Sequence, residues 1–480
     1  MWPRLQTRNL FVIILVVGLF VLAARNVTDP DVWWHLRTGQ LILQNHRIFH
    51  ADPYSFTRAG HAWVDHEWLS QIVMFGIYKA AGWSGLITGF AALLAAAFLL
   101  VFVRSPGRPY VAGAMTTWAA IASVPSWGVR PQVFTLLLAS IFLLLLERSY
   151  QQPKLLWWTP PLMLLWVNLH AGYPVGIALV AMFLIGDTLD RAFQNRNKAS
   201  FQRLGMALAA CLAVVPLNPY GLAMYRYPLE TLHSRAMLAY IGEWLSPDFH
   251  QGKYAAALLM MLATILFAAI SPRRLHAREL LLLAVTTYAA LRSVRHIPIY
   301  VLVAAPLLSA MVQAKLHELG KAGFFDRQSS MTQGKVAVNA FLLAAFLAFT
   351  VLRVRYVVSE QARAETTEFP AAAVAFLNST RPPAPMMNHY NWGGYFIWKL
   401  YPEYKVYIDG RADVYGDSFL DEFASVYYLK GQTWREPLER WDIQTVVLPP
   451  DAPLVTALRV LPGWKQVFSD RQAVVLTRSR

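Results

Sequence analysis

Apolar stretches of near membrane-spanning length recur through the first 353 residues, and this repetition limits the fold more than any other feature. They lie near 10–24, 83–103, 109–126, 132–147, 155–169, 174–190, 204–217, 253–270, 279–291, 297–313 and 336–353. A helix needs about 20 mostly apolar residues to cross a hydrocarbon core of about 30 Å. Eleven such runs predict a mostly α, polytopic membrane protein. Composition agrees, with 56% hydrophobic and only 15% charged residues, far from an ordinary soluble domain. The net charge of +15 would suit a nucleic-acid binder if it were clustered, but the basic residues sit in short loops between apolar runs. That pattern reads as topology, with no nucleic-acid partner. The one cysteine, Cys211, falls in an apolar run, so no intrachain disulfide can form. The stretch 10–24 with Ala23 and Ala24 also resembles a signal peptide; the many later spans make an uncleaved first span the preferred reading.

Orientation follows from the lysines and arginines. If 68–81 is a helix on the lipid surface and not a span, the loops 104–108, 148–154, 191–203, 273–278 and 315–335 all share a side with Arg4 and Arg8. The expected topology then has a cytoplasmic N-terminus, a transmembrane domain over 1–353, and a soluble extracytoplasmic α/β domain over 354–480. A bacterial inner (plasma) membrane is the expected location. Three outer parts, 25–82, 218–252 and 354–480, hold the Trp, His, Asp, Asn, Pro and Gly from which shaped polar sites are built. In the tail, helices are predicted over 369–378 and 418–429, and strands over 404–408, 445–448 and 473–477. No repeat of fixed period and no low-complexity segment is visible.

The first outer loop opens with Asp29-Pro30-Asp31-Val32-Trp33-Trp34-His35. Carboxylates at a membrane surface are costly unless used or paired, and one desolvated by tryptophans gains proton affinity suited to a general base. Asp29 could equally cap a helix starting near Pro30. The loop closes with Asp65-His66-Glu67, which could join Asp29 and Asp31 around a divalent cation or form an acidic first helical turn. Asp29, Asp31 and Glu67 are therefore candidate ligands for Mg or Mn, the only cofactor that the sequence suggests. Positive groups at outer span ends, namely Arg130, Arg292, Arg295 and His296, run against the topological bias and suit a lipid-linked phosphate; snorkelling to ordinary lipid is the alternative. His170, at another such junction, and the tail residues Trp392, Tyr395, Asp409, Arg411 and Asp413 are candidate acceptor-binding groups. An internal salt network joining Asp409, Arg411 and Asp413 would also account for that loop.

This layout, with an N-in first span, an acidic start to a long outer loop, many spans and an outer α/β tail, resembles the GT-C superfamily of polyprenyl-phosphate-dependent glycosyltransferases, and within it a poorly characterised bacterial group. The resemblance implies a catalytic base or metal ligand at Asp29 or Asp31, and a second acidic group at Asp65 or Glu67. The run Tyr390-Asn391-Trp392-Gly393-Gly394-Tyr395 is similar to the tryptophan motif with which oligosaccharyltransferase catalytic subunits hold acceptor peptide. That motif carries an acid before its first glycine; here Trp392 precedes Gly393 directly.

The expected function is transfer of a sugar from a polyprenyl-phosphate donor, by an inverting route, to a lipid, glycan or protein acceptor at the outer membrane face. Asp29, Asp31 and His35 would be catalytic. A transporter or flippase would place ionisable groups deep in the spans, whereas those here gather at the ends. A non-catalytic scaffold or receptor would use the tail for a partner and the acids structurally.

Overall fold

The computed structural model describes residues 6–194, 198–321 and 332–479. Arg4 and the remainder of the 191–203 and 315–335 loops lie outside the described residues. Two compact units are present: 1–25, 87–222 and 242–358 form the first, and 26–86, 223–241 and 359–480 form the second.

Every apolar run falls on a helix: Thr7–Ala23, Trp68–Arg104, Pro109–Ser123, Gln132–Arg148, Thr159–Leu169, Pro174–Gln194, Lys198–Val214, Ala255–Ile270, Ala277–Arg292, Ile297–Glu318 and Gln333–Ser359. Five segments are by themselves long and apolar enough to cross a membrane: Trp68–Arg104, Ser200–Leu217, Gly252–Ile270, Val294–Glu318 and Gln333–Ser359. The protein is an integral membrane protein. The helix Trp68–Arg104 breaks at Gly82, whose φ of 58° and ψ of −148° suit glycine alone. The expected separation of 68–81 from the run that follows thus has a covalent cause.

In the first unit Ile297–Glu318 is the central helix, buried along nearly its whole length. It packs against Pro109–Ser123, Ala277–Arg292 and Ala255–Ile270, which is why it is apolar all round instead of striped. Thr7–Ala23 docks on Pro109–Ser123 through Phe11 and Tyr110, ring centroids 4.9 Å apart. Gly113 permits this, since a Cβ there would come within 2.4 Å of the Phe11 ring.

The second unit is built around the helix Val32–Asn45, which packs on Gly393–Leu400. Trp33 is fully buried and meets Trp83, Phe369 and Tyr395 edge-on at 5.1, 5.3 and 4.9 Å. Behind it stands a four-stranded sheet, β1 (Met386–Asn388), β2 (Thr445–Leu448), β3 (Trp464–Ser469) and β4 (Val474–Arg478), in the order β1-β2-β4-β3. β1 and β2 are parallel, with Met387 opposite Val446; the other pairings are antiparallel. The strands expected over 445–448 and 473–477 are β2 and β4. The strand expected over 404–408 does not belong to this sheet. Val406 instead bridges Ser55 of the loop 25–82 in parallel, through Phe56 N–H to Val406 O at 3.2 Å and Val406 N–H to Tyr54 O at 3.1 Å. Its apolar alternation is real, but its pairing partner lies some 350 residues away. The sequence pattern did not reveal β1, which has three residues, or β3, whose side chains are mostly exposed. The helices expected over 369–378 and 418–429 appear as Ala371–Thr380 and Ala412–Tyr427.

Candidate functional site

Asp29 and Asp31 form a tight acidic turn at the head of Val32–Asn45. Asp29 accepts the Asp31 N–H at 2.9 Å, and the helix starts two residues after Pro30. Asp31, at the N-cap position, makes no capping bond with its side chain. The expected role of Asp29 as a simple cap gives way to an Asx-type turn, in which a short carboxylate satisfies a backbone donor two residues on. Asp31 turns its Oδ1 to the Trp34 indole N–H at 3.0 Å and stays half-buried, as does Asp29. Glycines let the tail reach this turn. A Cβ on Gly410 would lie 1.9 Å from Asp31 Oδ1, one on Gly394 would lie 2.5 Å from Pro30 O, and one on Gly393 would lie 2.2 Å from Ile408 O. The paired glycines after Trp392 are thus demanded by close backbone packing around Asp31.

The second acidic cluster shares this unit. Glu67 stands between two imidazoles, 3.6 Å from His35 Nε2 and 3.5 Å from His66 Nε2, and His66 lies against Tyr227 at 4.4 Å. Asp65 is buried and takes a hydrogen bond from Gln71 Nε2 at 2.5 Å. Burial pushes its carboxyl up to about 7, against the opposing pull of His66. His66 is desolvated, which alone would lower it, but Glu67, Asp413 and Asp65 together raise its proton affinity. Desolvation also raises Asp413, which faces His66, Arg411 and Glu67. The structure therefore joins Asp413 from the tail to Asp65, His66 and Glu67 from the first loop.

Asp409 and Arg411 have a different character. Arg411 holds Asp409 by two bonds, Nε to Oδ1 at 2.8 Å and Nη2 to Oδ2 at 2.7 Å, and pairs with Asp52 at 2.8 Å. Its guanidinium lies over Tyr54 and Trp63 at 4.9 and 4.6 Å, and the Tyr415 hydroxyl donates to Asp409 at 2.7 Å. Both residues are buried, so the acceptor contact expected of them finds no open surface. Of the internal network expected of Asp409, Arg411 and Asp413, the Asp409–Arg411 pair forms, and Asp52 stands where Asp413 was expected as the second carboxylate on Arg411. Trp392 and Tyr395 are buried too. Trp392 packs on His389 at 5.1 Å, and the Tyr395 hydroxyl donates to Glu365 at 3.0 Å. Asn391, Tyr390, Gly410 and Asp413 keep exposed or half-exposed surface.

In the first unit the basic candidates converge on an acid. Arg130 Nη2 binds Glu243 Oε1 at 2.9 Å, and Arg295 lies over the Trp244 ring at 4.9 Å, with His296 6.5 Å from the same ring. Burial would raise Glu243, but Arg130 and Arg295, with His170 adding to them, hold it down at about 2. Ser293 fixes this arrangement by donating to Glu243 O at 2.8 Å. His170, read from sequence as an acceptor-side group, belongs here and is hydrogen-bonded to Thr135 at 2.8 Å. Arg292 is exposed and outside the cluster. Glu243, Asp52, Gln71 and Tyr227 are the residues that the sequence did not single out for these roles. Only Glu243, an acid beside Trp244 in the segment 218–252, carried a local signal.

Among the described residues no group of three or more His, Cys, Asp or Glu is arranged to hold a metal ion. The candidate ligands Asp29, Asp31 and Glu67 do not form such a set.

No protein-family model matches the chain, and no curated protein matches it. Solved structures do. The archaeal oligosaccharyltransferase AglB from Archaeoglobus fulgidus, in complex with an inhibitory peptide and a dolichol-phosphate, aligns with a TM-score of 0.60 and 12% identity over 92% of this chain and 69% of that one. The oligosaccharyltransferase of the same organism, tethered with an acceptor peptide containing the NVT sequon, aligns at 0.54 and 12% identity over 91% and 68%. At such identities the likeness is one of fold alone.

Proposed function

We propose that this GT-C-fold membrane protein transfers a sugar from a polyprenyl-phosphate-linked donor to a lipid, glycan or protein acceptor on the outer face of a bacterial inner membrane. One observation carries the reading: a half-buried carboxylate, Asp31, is clasped by the Trp34 indole and by the close approach of Gly410. A carboxylate held in place and partly stripped of water suits proton abstraction. The structural likeness to an oligosaccharyltransferase with dolichol-phosphate supports the class of donor.

Asp31 takes the proton of the acceptor hydroxyl or amine as that atom bonds to the anomeric carbon from the face opposite the phosphate. The bond from that carbon to the phosphate oxygen breaks, and its electron pair leaves with the polyprenyl phosphate. Asp29 keeps the Asp31 backbone in its turn. In the first unit Arg130, Arg295 and His296 gather around Glu243 and Trp244, a basic cluster suited to a lipid-linked phosphate. His35, Glu67, His66 and Asp413 form a proton-holding group in the same unit as Asp31. The acceptor meets exposed surface at Asn391, Tyr390 and Asp413.

The test uses purified protein in lipid nanodiscs with a panel of radiolabelled polyprenyl-phosphate sugars and a membrane extract as acceptor. Release of carrier phosphate matched by label in the acceptor, and lost in Asp31→Asn, is the expected result. Carrier moved across vesicle membranes without cleavage would mean a flippase, and full function in an Asp29→Asn, Asp31→Asn double variant would mean a scaffold.

A further inference from the structure

Charge patterning assigned the loops 104–108 and 273–278 to orientation alone, which requires their arginines to face water or lipid phosphates. The structure turns three of them inward. Arg104, with its side chain 2% exposed, grips Glu147 through Nε at 2.9 Å and Nη2 at 2.7 Å, while Nη1 donates to Leu302 O at 2.8 Å. Arg273 reaches Glu279 at 2.8 Å through Nη2, leaving Nη1 buried with no hydrogen-bond partner among the described residues. Arg278 lies over the Tyr150 and Phe183 rings at 4.4 and 5.9 Å and hydrogen bonds to the Tyr150 hydroxyl. That hydroxyl donates in turn to Asp187, which also takes the Ser200 hydroxyl. Gly186 lets the backbone of Arg278 come this close, since a Cβ there would lie 2.3 Å from Arg278 Cβ.

These side chains line a cavity of about 120 Å³ in the first unit, walled otherwise by leucine, valine, alanine and proline from the surrounding helices. That is several times the roughly 10–15 Å³ that one water needs, so a polyatomic group fits. Three arginines and two glutamates line it, and Asp187, which acts on Arg278 from behind Tyr150, is a third carboxylate. The donor left over is Arg273 Nη1; a buried donor left without a partner is costly, and a guanidinium edge with a spare N–H is shaped for an oxyanion.

We infer that this cavity is a second anion site, separate from the Arg130–Glu243–Arg295 cluster, and that it binds a phosphate group through the free Arg273 N–H, the group being either a phospholipid head group or free phosphate. Connectivity sets the two sites at opposite ends of the first unit. Arg104 ends one span, Pro109–Ser123 returns, and Arg130 follows it. Phosphate held here ties Trp68–Arg104, Gln132–Arg148 and Ala277–Arg292 together at the end opposite the outer loops.

The experiment uses full-length protein, delipidated in mild detergent and titrated separately with inorganic phosphate, phosphatidylglycerol and, as a neutral control, diacylglycerol, with the melting temperature as readout. One phosphate-bearing probe raises the melting temperature of the wild type, and Arg273→Gln and Arg278→Gln each require at least tenfold more of it. Protection by phosphatidylglycerol alone identifies a lipid head group; protection by inorganic phosphate identifies the free anion. Should Arg278→Gln fail to fold, Arg273→Gln, which removes only a half-engaged guanidinium, carries the comparison. The inference is overturned if diacylglycerol protects equally, if neither phosphate probe protects, or if protection persists in both variants and disappears in Arg130→Gln.

Discussion

Two acidic clusters in the second unit use the same residue types and behave oppositely. Around Arg411 the carboxylates of Asp409 and Asp52 are buried and satisfied by a guanidinium, a tyrosine hydroxyl and backbone N–H groups. Around Asp31 and Asp413, packed against that network or a few residues on in sequence, the acids are only half-buried. Saturation with fixed donors makes a carboxylate structural; partial desolvation with surface left open makes it reactive. Position in a motif does not distinguish the two, because Asp409 and Asp413 belong to one ten-residue run.

The comparison can be broken by substitution. The largest effect is expected from Asp31→Asn, at least a thousandfold in the transfer rate with an unchanged melting temperature. Arg411→Ala should act through stability, since it leaves two buried carboxylates unpaired; removing one partner of a buried ion pair costs about 3–5 kcal/mol, read as a large fall in melting temperature with transfer lost in step. Arg411→Lys should recover little, because the two-pronged contact with Asp409 needs the guanidinium fork. Gly393→Ala comes next, at about 1–3 kcal/mol for overpacking, because its Cβ would lie 2.2 Å from Ile408 O. In the first unit Arg295→Gln should weaken polyprenyl phosphate binding by about tenfold, roughly 1.4 kcal/mol, in a titration of the purified protein.

A further effect concerns pH. Asp65 sits near 7 in the folded protein against an ordinary 3.8, so its folded form binds the proton more tightly. Its contribution is fully present below about pH 4 and is lost as pH rises toward 7 and beyond. His66 is raised as well, so its contribution is present below about 6.5 and declines as pH climbs through the folded value. Both slopes have the same sign. Asp65→Asn keeps the oxygen that accepts from Gln71 but removes the titration, so its melting temperature should rise relative to wild type by a growing margin between pH 4 and 8. An unchanging margin would mean that Asp65 is not the titrating group.

Much of the helical part was legible because membrane crossing writes itself into about 20 consecutive residues; every apolar run became a helix, and Gly82 marked its own break. The acids at 29, 31, 65 and 67 were legible as clusters because each is local. What escaped was non-local. Nothing near Arg411 announces Asp52, and nothing near Val406 announces Ser55, since a strand pattern names a face and not a partner. The inward turn of Arg104 and Arg273 escaped for a related reason: loop charges are read for topology, while Glu147 and Glu279, which draw them in, lie on neighbouring helices. The glycines at 393, 394 and 410 carry no local sign that backbone and carboxylate approach them closely.

The most direct measurement is a single-turnover assay of carrier-phosphate release in Asp31→Asn and Asp409→Asn side by side, each paired with its melting curve. We expect Asp31→Asn to melt like wild type and release no carrier phosphate above background, while Asp409→Asn melts early and, at temperatures where it remains folded, still releases it. The reverse pattern, with full release from a normally melting Asp31→Asn protein, would contradict the assignment of Asp31 as the base.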